Sequence, residues 1–164
     1  MTAPDADWER RAAQLWTELD GTDEDEFVRR VEALAAELPA GSAIADFERA
    51  CAQDSTGHSD RAVPLYRAAL AAGLSGIRRR RAVIQLSSSL RNVGRSQESV
   101  ALLTAERAAG SDELDDAVAA VLALALTDVG REREAVSVAV AALAPHLPRY
   151  QRSKGNYARA LLEG

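Results

Sequence analysis

His58 is the residue of this 164-residue sequence around which a metal site is easiest to imagine. Asp54 and Asp60 flank it, so an imidazole and two carboxylates lie within a short segment. Such groups can bind zinc, but their spacing matches no established ligand motif. A turn at His58, followed by a helix whose N-cap is Ser59 or Asp60, is the simpler interpretation.

The remaining reactive side chains have structural interpretations as well. His146 lies in a proline-containing break between helices, and Cys51 shares an apolar helical face with Phe47, so we expect a buried structural thiol. The carboxylates at 23–26 and 112–116 stand where helices begin, which suits the helix dipole. No glycine-rich phosphate loop is present. The sequence therefore predicts a protein that is not an enzyme and holds no metal or cofactor.

Four consecutive arginines, residues 78–81, form the most basic segment. A helix turns by about 100° per residue, so these side chains point in four directions and form no flat strip for phosphates. The chain has a net charge of −5 and an isoelectric point near 5.1, which also argues against nucleic acid as a partner. We expect a solvated helix start with one or two ion pairs; the alternative is that Arg81 faces a binding groove.

The composition indicates the fold class. Alanine occurs 34 times and leucine 19 times, whereas Phe, Trp and Tyr together occur 7 times. Alanine and leucine favour helices, and strands favour β-branched and aromatic residues, so we predict an all-α protein. The 19 arginines against one lysine suggest a GC-rich bacterial genome. No signal-like start and no membrane-length apolar run are seen, which predicts a cytoplasmic protein without a membrane partner.

Charge is distributed unevenly along the chain. Residues 1–60 carry 15 acidic and 5 basic side chains, and residues 61–164 carry 10 acidic and 15 basic ones. Two interpretations stay open. The acidic N-terminal helices pack near the basic residues in the middle of the chain, or the two ends of the chain present separate surfaces to different partners. In the first case the N-terminal helices could cover the arginines of a binding surface.

Helical periodicity runs through almost the whole sequence and predicts about nine helices joined by short turns. Thr22 is the expected N-cap of the second helix. The fifth helix is expected at about 77–93, the seventh at about 112–129 and the ninth at about 150–162. The seventh is apolar almost all round, which predicts that it is the most buried.

Three glycines mark an internal repeat. Gly57, Gly94 and Gly130 are 37 and 36 residues apart. A small residue follows each glycine by five positions and another precedes it by seven: Ala62, Ser99 and Ala135, and Ala50, Ser87 and Ala123. A left-handed glycine closes a helix, and small residues let two antiparallel helices approach closely, so the pattern predicts stacked helix pairs. Matching the apolar positions predicts one extra residue in the turn before Gly57.

On these residues the sequence resembles the tetratricopeptide repeat family, most closely the bacterial tetratrico peptide repeat group 5 domain. The phrases that carry the resemblance are RAVPLYRAAL at 61–70, LSSSLRNVGR at 86–95 and LPRYQRS at 147–153. It implies a right-handed α-solenoid with about three helix pairs. We expect one domain, with acidic helices in 1–41, repeats in 42–147 and a capping helix in 148–164.

The resemblance also implies a binding surface, because the first helix of each pair lines the concave side of such arrays. The positions that match by their offsets from the glycines are Arg81, Ile84, Ser88, Arg91, Asn92, Ala117, Ala120, Leu124, Thr127 and Asp128. Arg81, Arg91 and Asn92 could hold a carboxylate or an acidic peptide. The family's carboxylate clamp of lysines and asparagines is not reproduced.

Two functions therefore remain for the sequence. The first is non-enzymatic binding of a protein or peptide segment, for which an acidic ligand is one option, in the concave groove. The alternative is a structural or self-association module, in which the first helix or the helix at about 150–162 joins copies of the chain into a homo-oligomer.

Overall fold

The computed structural model describes residues 4–163, which form nine α-helices and contain no strand. None of these helices is long and apolar enough to cross a membrane. The prediction of an all-α fold is confirmed. The helices, numbered in chain order, are α1 Ala6–Trp16, α2 Glu24–Ala35, α3 Ala43–Ser55, α4 Ser59–Ala71, α5 Gly76–Asn92, α6 Ser96–Ala109, α7 Asp115–Asp128, α8 Glu132–Leu143 and α9 Gln151–Ala160.

Two helix starts differ from the sequence predictions. Asp23, not Thr22, is the N-cap of α2, and its carboxylate accepts the Glu26 amide at 3.2 Å. The Thr22 hydroxyl instead donates to the Glu18 carbonyl at 2.7 Å, across the short 3₁₀ turn that precedes α2. The N-cap of α4 is His58, without a side-chain cap, so Ser59 lies inside the helix. In both places the preceding turn decides which residue takes the cap position.

The prediction that α7 is the most buried helix is wrong. Seven of the 13 residues of α3 are buried, against six of the 14 residues of α7. Leu124, in the middle of α7, is 53% exposed. The helices that pack against α7 therefore cover only part of its apolar residues, and the others, such as Leu124, are exposed to solvent.

The repeated glycines close three helices with the same backbone turn. Gly57, Gly94 and Gly130 have φ of +79°, +77° and +75°. Each amide donates to the carbonyl three residues earlier, at 2.9–3.1 Å, and the next amide donates to the carbonyl five residues before it, at 2.8–2.9 Å. This is the Schellman motif, which favours glycine because only a residue without a Cβ takes a left-handed φ freely. The turn before Gly57 has the same length as the other two, so the predicted extra residue is absent.

The small residues of the repeat lie where helices pack. Both sets are buried: Ala50, Ser87 and Ala123 seven positions before the glycines, and Ala62, Ser99 and Ala135 five positions after them. The helices α3 and α4 form one close pair, and α7 and α8 form another. Small side chains at the contact let the backbones of such a pair approach.

The chain divides into two compact units, Met1–Ala82 and Val83–Gly164, called unit 1 and unit 2 below. One core cluster of unit 1 joins α1, α2 and α3, and its largest side chains are Trp8, Phe27 and Leu34. Phe47 and Tyr66 are fully buried in the same unit. The core cluster of unit 2 contains only aliphatic residues, among them Leu103 and Leu122. The expectation of one domain with three segments stays a prediction.

Candidate functional site

In unit 2, an ion pair joins the two helices that carry most of the predicted groove positions. Arg91 of α5 donates to the Asp128 carboxylate of α7 through Nε at 2.7 Å and Nη2 at 3.3 Å. The Ser96 hydroxyl donates to the same carboxylate at 3.1 Å. The hydrogen bond from Arg91 is the main reason that the pKa of Asp128 lies below its usual range. The charge of Arg91 is therefore already balanced within unit 2.

The other groove positions of α5 fall into different environments. Ile84 is buried and belongs to the core cluster of unit 2, Ser88 is half-buried and Asn92 is exposed. Arg81 is exposed and belongs to unit 1, where its guanidinium lies 5.3 Å from the centre of the Phe47 ring. Such a cation–π contact adds a modest stabilisation at an exposed site. Only the solvent-facing members of this set are accessible to a partner.

One face of α7 is open to solvent and carries a large apolar side chain. Ala120, Leu124, Thr127 and Asp128 are exposed and lie at helical spacing, and Ala117 is half-buried beside them. The Thr127 hydroxyl donates to the Ala123 carbonyl at 3.0 Å. The exposed side chains at 120, 124, 127 and 128 are called the α7 face below. Its centre is Leu124, with hydroxyl and carboxylate groups towards one end.

Unit 1 contains a polar network that the sequence analysis did not identify. The Glu48 carboxylate on α3 accepts the Trp16 indole N–H at 2.8 Å and lies 3.5 Å from the Nε of Arg78. The guanidinium of Arg78 also donates to both carboxylate oxygens of Glu9 on α1, at 2.9 and 2.6 Å. Burial raises the pKa of Glu48, and the hydrogen bond from Trp16 and the positive charge of Arg78 oppose that rise. The network joins α1, α3 and the first turn of α5.

This network bears on the uneven charge of the sequence. Glu9, from the acidic N-terminal segment, is bound to Arg78, the first arginine of the 78–81 run. Within unit 1 one acid of α1 therefore pairs with one arginine of this run, a contact that the first interpretation expects; the choice between the two interpretations for the rest of the chain stays a prediction. The available signal was the charge asymmetry itself; the position of Glu48 among apolar neighbours on α3 gave no indication of its partners.

The histidines and the cysteine form local contacts. His58 Nδ1 lies 3.2 Å from the Thr56 hydroxyl, and His146 Nε2 lies 2.8 Å from an Asp116 carboxylate oxygen. Cys51 is buried, and burial raises its pKa to about 12, so the thiol stays protonated at neutral pH. Across residues 4–163 no group of three His, Cys, Asp or Glu side chains is arranged to hold a metal ion.

The comparison with protein families agrees with the repeat seen in the structure. A family model described as Tetratrico peptide repeat matches residues 43–161, which include α3 to α9. Searches of curated proteins and of solved structures gave no match. Tetratricopeptide repeats are typically non-enzymatic modules for protein–protein interaction. The repeated Schellman turns, the buried small residues and this match together show that the chain belongs to the tetratricopeptide repeat family.

Proposed function

We propose that the protein is a non-enzymatic module that binds a peptide or protein segment on the α7 face of unit 2. The observation that carries this proposal is Leu124, a leucine that is 53% exposed at the centre of the solvent-facing side of α7. It occupies one of the positions that the family resemblance implies for ligand contact. A single exposed leucine is ordinary on a protein surface, so what supports the proposal is its place on the face that the resemblance implies for ligand contact.

The chemistry of the α7 face suits a segment with one apolar side chain and polar flanks. Covering the rest of Leu124 removes apolar surface from water, at about 25 cal/mol for each Å². Ala120 adds little side-chain volume, so a partner can approach the helix backbone closely. Thr127 and Asp128 supply hydrogen-bonding groups beside the apolar centre. The apolar centre contributes binding free energy, and the hydrogen-bonding groups fix the position of an extended or helical segment along the helix.

The acidic ligand expected from the arginines is the finer part of the proposal. Arg91 already binds Asp128, so an acidic segment has to share or replace that carboxylate. Arg91 is a bidentate donor with N–H groups left over, which can contact a second carboxylate. We therefore propose Arg91 as a secondary contact, with Leu124 as the main one.

Leu124→Glu against Val136→Glu is the matched experiment. Val136 on α8 is also a large apolar side chain and is 49% exposed, but it lies outside the predicted groove positions. A bound partner is first captured from the source organism by the tagged wild-type protein and identified. We expect Val136→Glu to retain that partner and Leu124→Glu to lose it, with both variants showing wild-type helical circular dichroism. Equal retention by both variants would overturn the proposal.

Asp128→Asn tests the acidic ligand. The substitution keeps a hydrogen-bond acceptor beside Arg91 but removes the negative charge that balances it. We expect tighter binding of an acidic segment at low salt, and the gain should disappear at high salt. Unchanged or weaker binding would show that Arg91 does not contact a carboxylate of the ligand.

Self-association remains the second candidate function. The observation that favours it is the exposure of two tyrosines next to and within α9, Tyr150 and Tyr157, together with the basic character of that helix. A molar mass that rises with concentration would distinguish this function from binding of another protein. The cytoplasmic location and the lack of catalytic activity predicted from the sequence stay predictions.

A further inference from the structure

The C-terminal part of unit 2 carries basic side chains without acidic neighbours in sequence. Between Glu134 and Glu163 there is no aspartate or glutamate, whereas this stretch contains four basic residues: Arg149, Arg152, Lys154 and Arg159. Within residues 4–163 the three arginines of this set form no ion pair with a carboxylate. By contrast, Arg78 and Arg91 each bind a carboxylate through two N–H groups. The charge of this region is therefore available to a partner.

Two of these arginines line a cleft between the end of α8 and α9. The cleft has a volume of about 460 Å³, and its apolar wall consists of Ala141, Ala144 and Pro145. Its polar wall consists of Gln151, Arg152, Asn156 and Arg159, with Gly155 between them. A Cβ at Gly155 would meet only Arg159, at 4.0 Å, so the helix surface there is open. The small residues of the apolar wall and Gly155 leave room for a chain segment between the two arginines.

A second depression continues this cleft towards the start of α9. It has a volume of about 540 Å³, is lined by residues 148–153 and Asn156, and shares Gln151, Arg152 and Asn156 with the first. Arg149 and Tyr150 therefore border the same surface. The two depressions together, with their unpaired arginines, are called the basic cleft below.

Tyr150 is held beside the basic cleft in an unusual conformation. Its φ of +70° is in the left-handed region, which costs energy for an aromatic residue, and its side chain is 71% exposed. The loop before it is fixed by the Gln151 side chain, which donates to the carbonyls of Pro145 and Leu147, both at 2.9 Å. Strained backbone concentrates at functional sites, and an exposed tyrosine is a favoured interface residue because it combines a large apolar ring with a hydroxyl.

The same chain contains an acidic segment, whose charge is opposite to that of the basic cleft. From Ala12 to Val28 there are six carboxylates and no basic side chain. Glu18 and Glu26 bind Arg30 and Arg29 within unit 1. The exposed acids of this stretch without an ion pair in the described part of the chain are Asp20, Asp23, Glu24 and Asp25, of which Asp23 caps α2.

We infer that the basic cleft binds the acidic 18–26 segment of a second copy of the chain. The unpaired arginines of the cleft face unpaired carboxylates of the partner, and Tyr150 packs against the start of its α2. Because the two surfaces differ, the contact is heterologous: each copy offers one cleft and one acidic segment, so association continues beyond a dimer. Exposed charge pairs are screened by salt, so the association weakens as ionic strength rises. This inference does not depend on the α7 face.

Sedimentation velocity over a wide range of concentration, at low and high salt, tests the inference. We expect the mean mass of the wild-type chain to rise with concentration at low salt and to fall to the monomer value at high salt. Arg152→Glu/Arg159→Glu and Glu24→Lys/Asp25→Lys should each stay monomeric at low salt. All four positions are exposed, so the helical circular dichroism of both variants should match that of the wild type.

Mixing the two double variants provides the decisive control. One variant then offers an acidic cleft and the other a basic segment, so the mixture should associate although neither variant does so alone. Arg61→Glu, at an exposed arginine of α4, should associate as the wild type does. A monomeric wild-type chain at low salt, or a mixture that stays monomeric, would overturn the inference. Oligonucleotide binding by a monomeric wild-type chain would also overturn it, in favour of a general surface for polyanions.

Discussion

The two units of the molecule differ in the burial of their aromatic residues. Trp8, Phe27, Phe47 and Tyr66 are buried in unit 1, whereas Tyr150 and Tyr157 of unit 2 are mostly exposed. Unit 2 builds its core from leucine, valine, isoleucine and alanine, and leaves other aliphatic side chains, such as Leu124, in solvent. Large rings bury more apolar area per residue than aliphatic side chains do. We therefore expect unit 1 to have the more stable core, whereas unit 2 exposes more large apolar side chains.

The first helix explains part of this difference. In unit 1, α1 contributes Glu9 to Arg78 and Trp16 to Glu48, and the Trp8 indole donates to the Leu34 carbonyl at 2.9 Å. Polar groups of α3 and α5 that a partner could have used are thus satisfied by the chain itself. Among the described residues of unit 2, no such helix covers Leu124, which is 53% exposed. The comparison teaches that one unit can satisfy its polar groups with an additional helix while the other leaves apolar side chains in solvent.

Phe47→Ala is expected to cause the largest loss of stability, and this loss should fall on unit 1. Phe47 is fully buried against Tyr66, and removal of a buried phenylalanine side chain costs about 3–5 kcal/mol. Both tryptophans lie in unit 1, so fluorescence reports on that unit while circular dichroism reports on all helices. Urea unfolding should show a larger shift of the fluorescence transition than of the helical signal.

Leu124→Ala is the control for this prediction, because an exposed leucine contributes little to the folded state. Its unfolding midpoint should stay close to that of the wild type by both signals. A loss below about 1 kcal/mol for Phe47→Ala would contradict the assignment of the stronger core to unit 1.

Ser87→Ala and Ser99→Ala should stabilise unit 2. Both hydroxyls are fully buried and have no hydrogen-bond partner within the described residues. Their equivalents in the other helix pairs are alanines, at Ala50 and Ala62 and at Ala123 and Ala135. A buried hydroxyl without a partner costs about 1–3 kcal/mol, so each alanine should add roughly 1 kcal/mol to the free energy of unfolding. Denaturant unfolding measures this, and destabilisation by either substitution would show that the hydroxyl has a partner.

Glu48→Gln should give a smaller effect that depends on pH. Burial raises the pKa of Glu48 above its ordinary 4.5, so folding favours the protonated form. That contribution to stability is complete below pH 4.5 and is lost as the pH rises through the pKa of the folded state. Glutamine still accepts the Trp16 N–H but carries no charge, and Arg78 keeps Glu9. We expect the variant to be more stable at neutral pH by about 1 kcal/mol or less.

Unfolding of both forms at a series of pH values measures this difference. It should grow from acidic to neutral pH, since only the wild-type chain loses stability as Glu48 ionises. A difference that does not change with pH would show that residue 48 ionises equally in the folded and unfolded states.

Local patterns in the sequence predicted most of the helices. Apolar spacing placed α5 at 77–93 against the observed Gly76–Asn92, because helix periodicity extends over several turns. The N-cap of α2 was assigned wrongly by one residue and that of α4 by one or two, since the hydrogen bonds of the preceding turn decide which residue takes the N-cap. Burial of α7 was overestimated because composition does not show how many neighbours a helix has.

The candidate sites were predictable to a different extent. The resemblance placed Arg91, Leu124 and Asp128 on faces expected to contact a ligand. It could not show that Arg91 and Asp128 bind each other, because a pair separated by 37 residues depends on the distance between two helices. The network of Glu48 depends in the same way on long-range packing. The basic character of residues 149–159 was visible in the sequence, but the cleft between α8 and α9 required the structure.

The identical turns at Gly57, Gly94 and Gly130 have a consequence for how such a chain can vary in length. The two helices of each pair are joined by a turn with the same backbone hydrogen bonds, so a duplicated stretch of one spacing carries one complete turn of this kind with it. A gene that gains or loses one such stretch keeps every remaining turn intact, whereas an insertion of a few residues within a helix shifts all later side chains around the helix axis. The protein can therefore grow or shrink in whole hairpins.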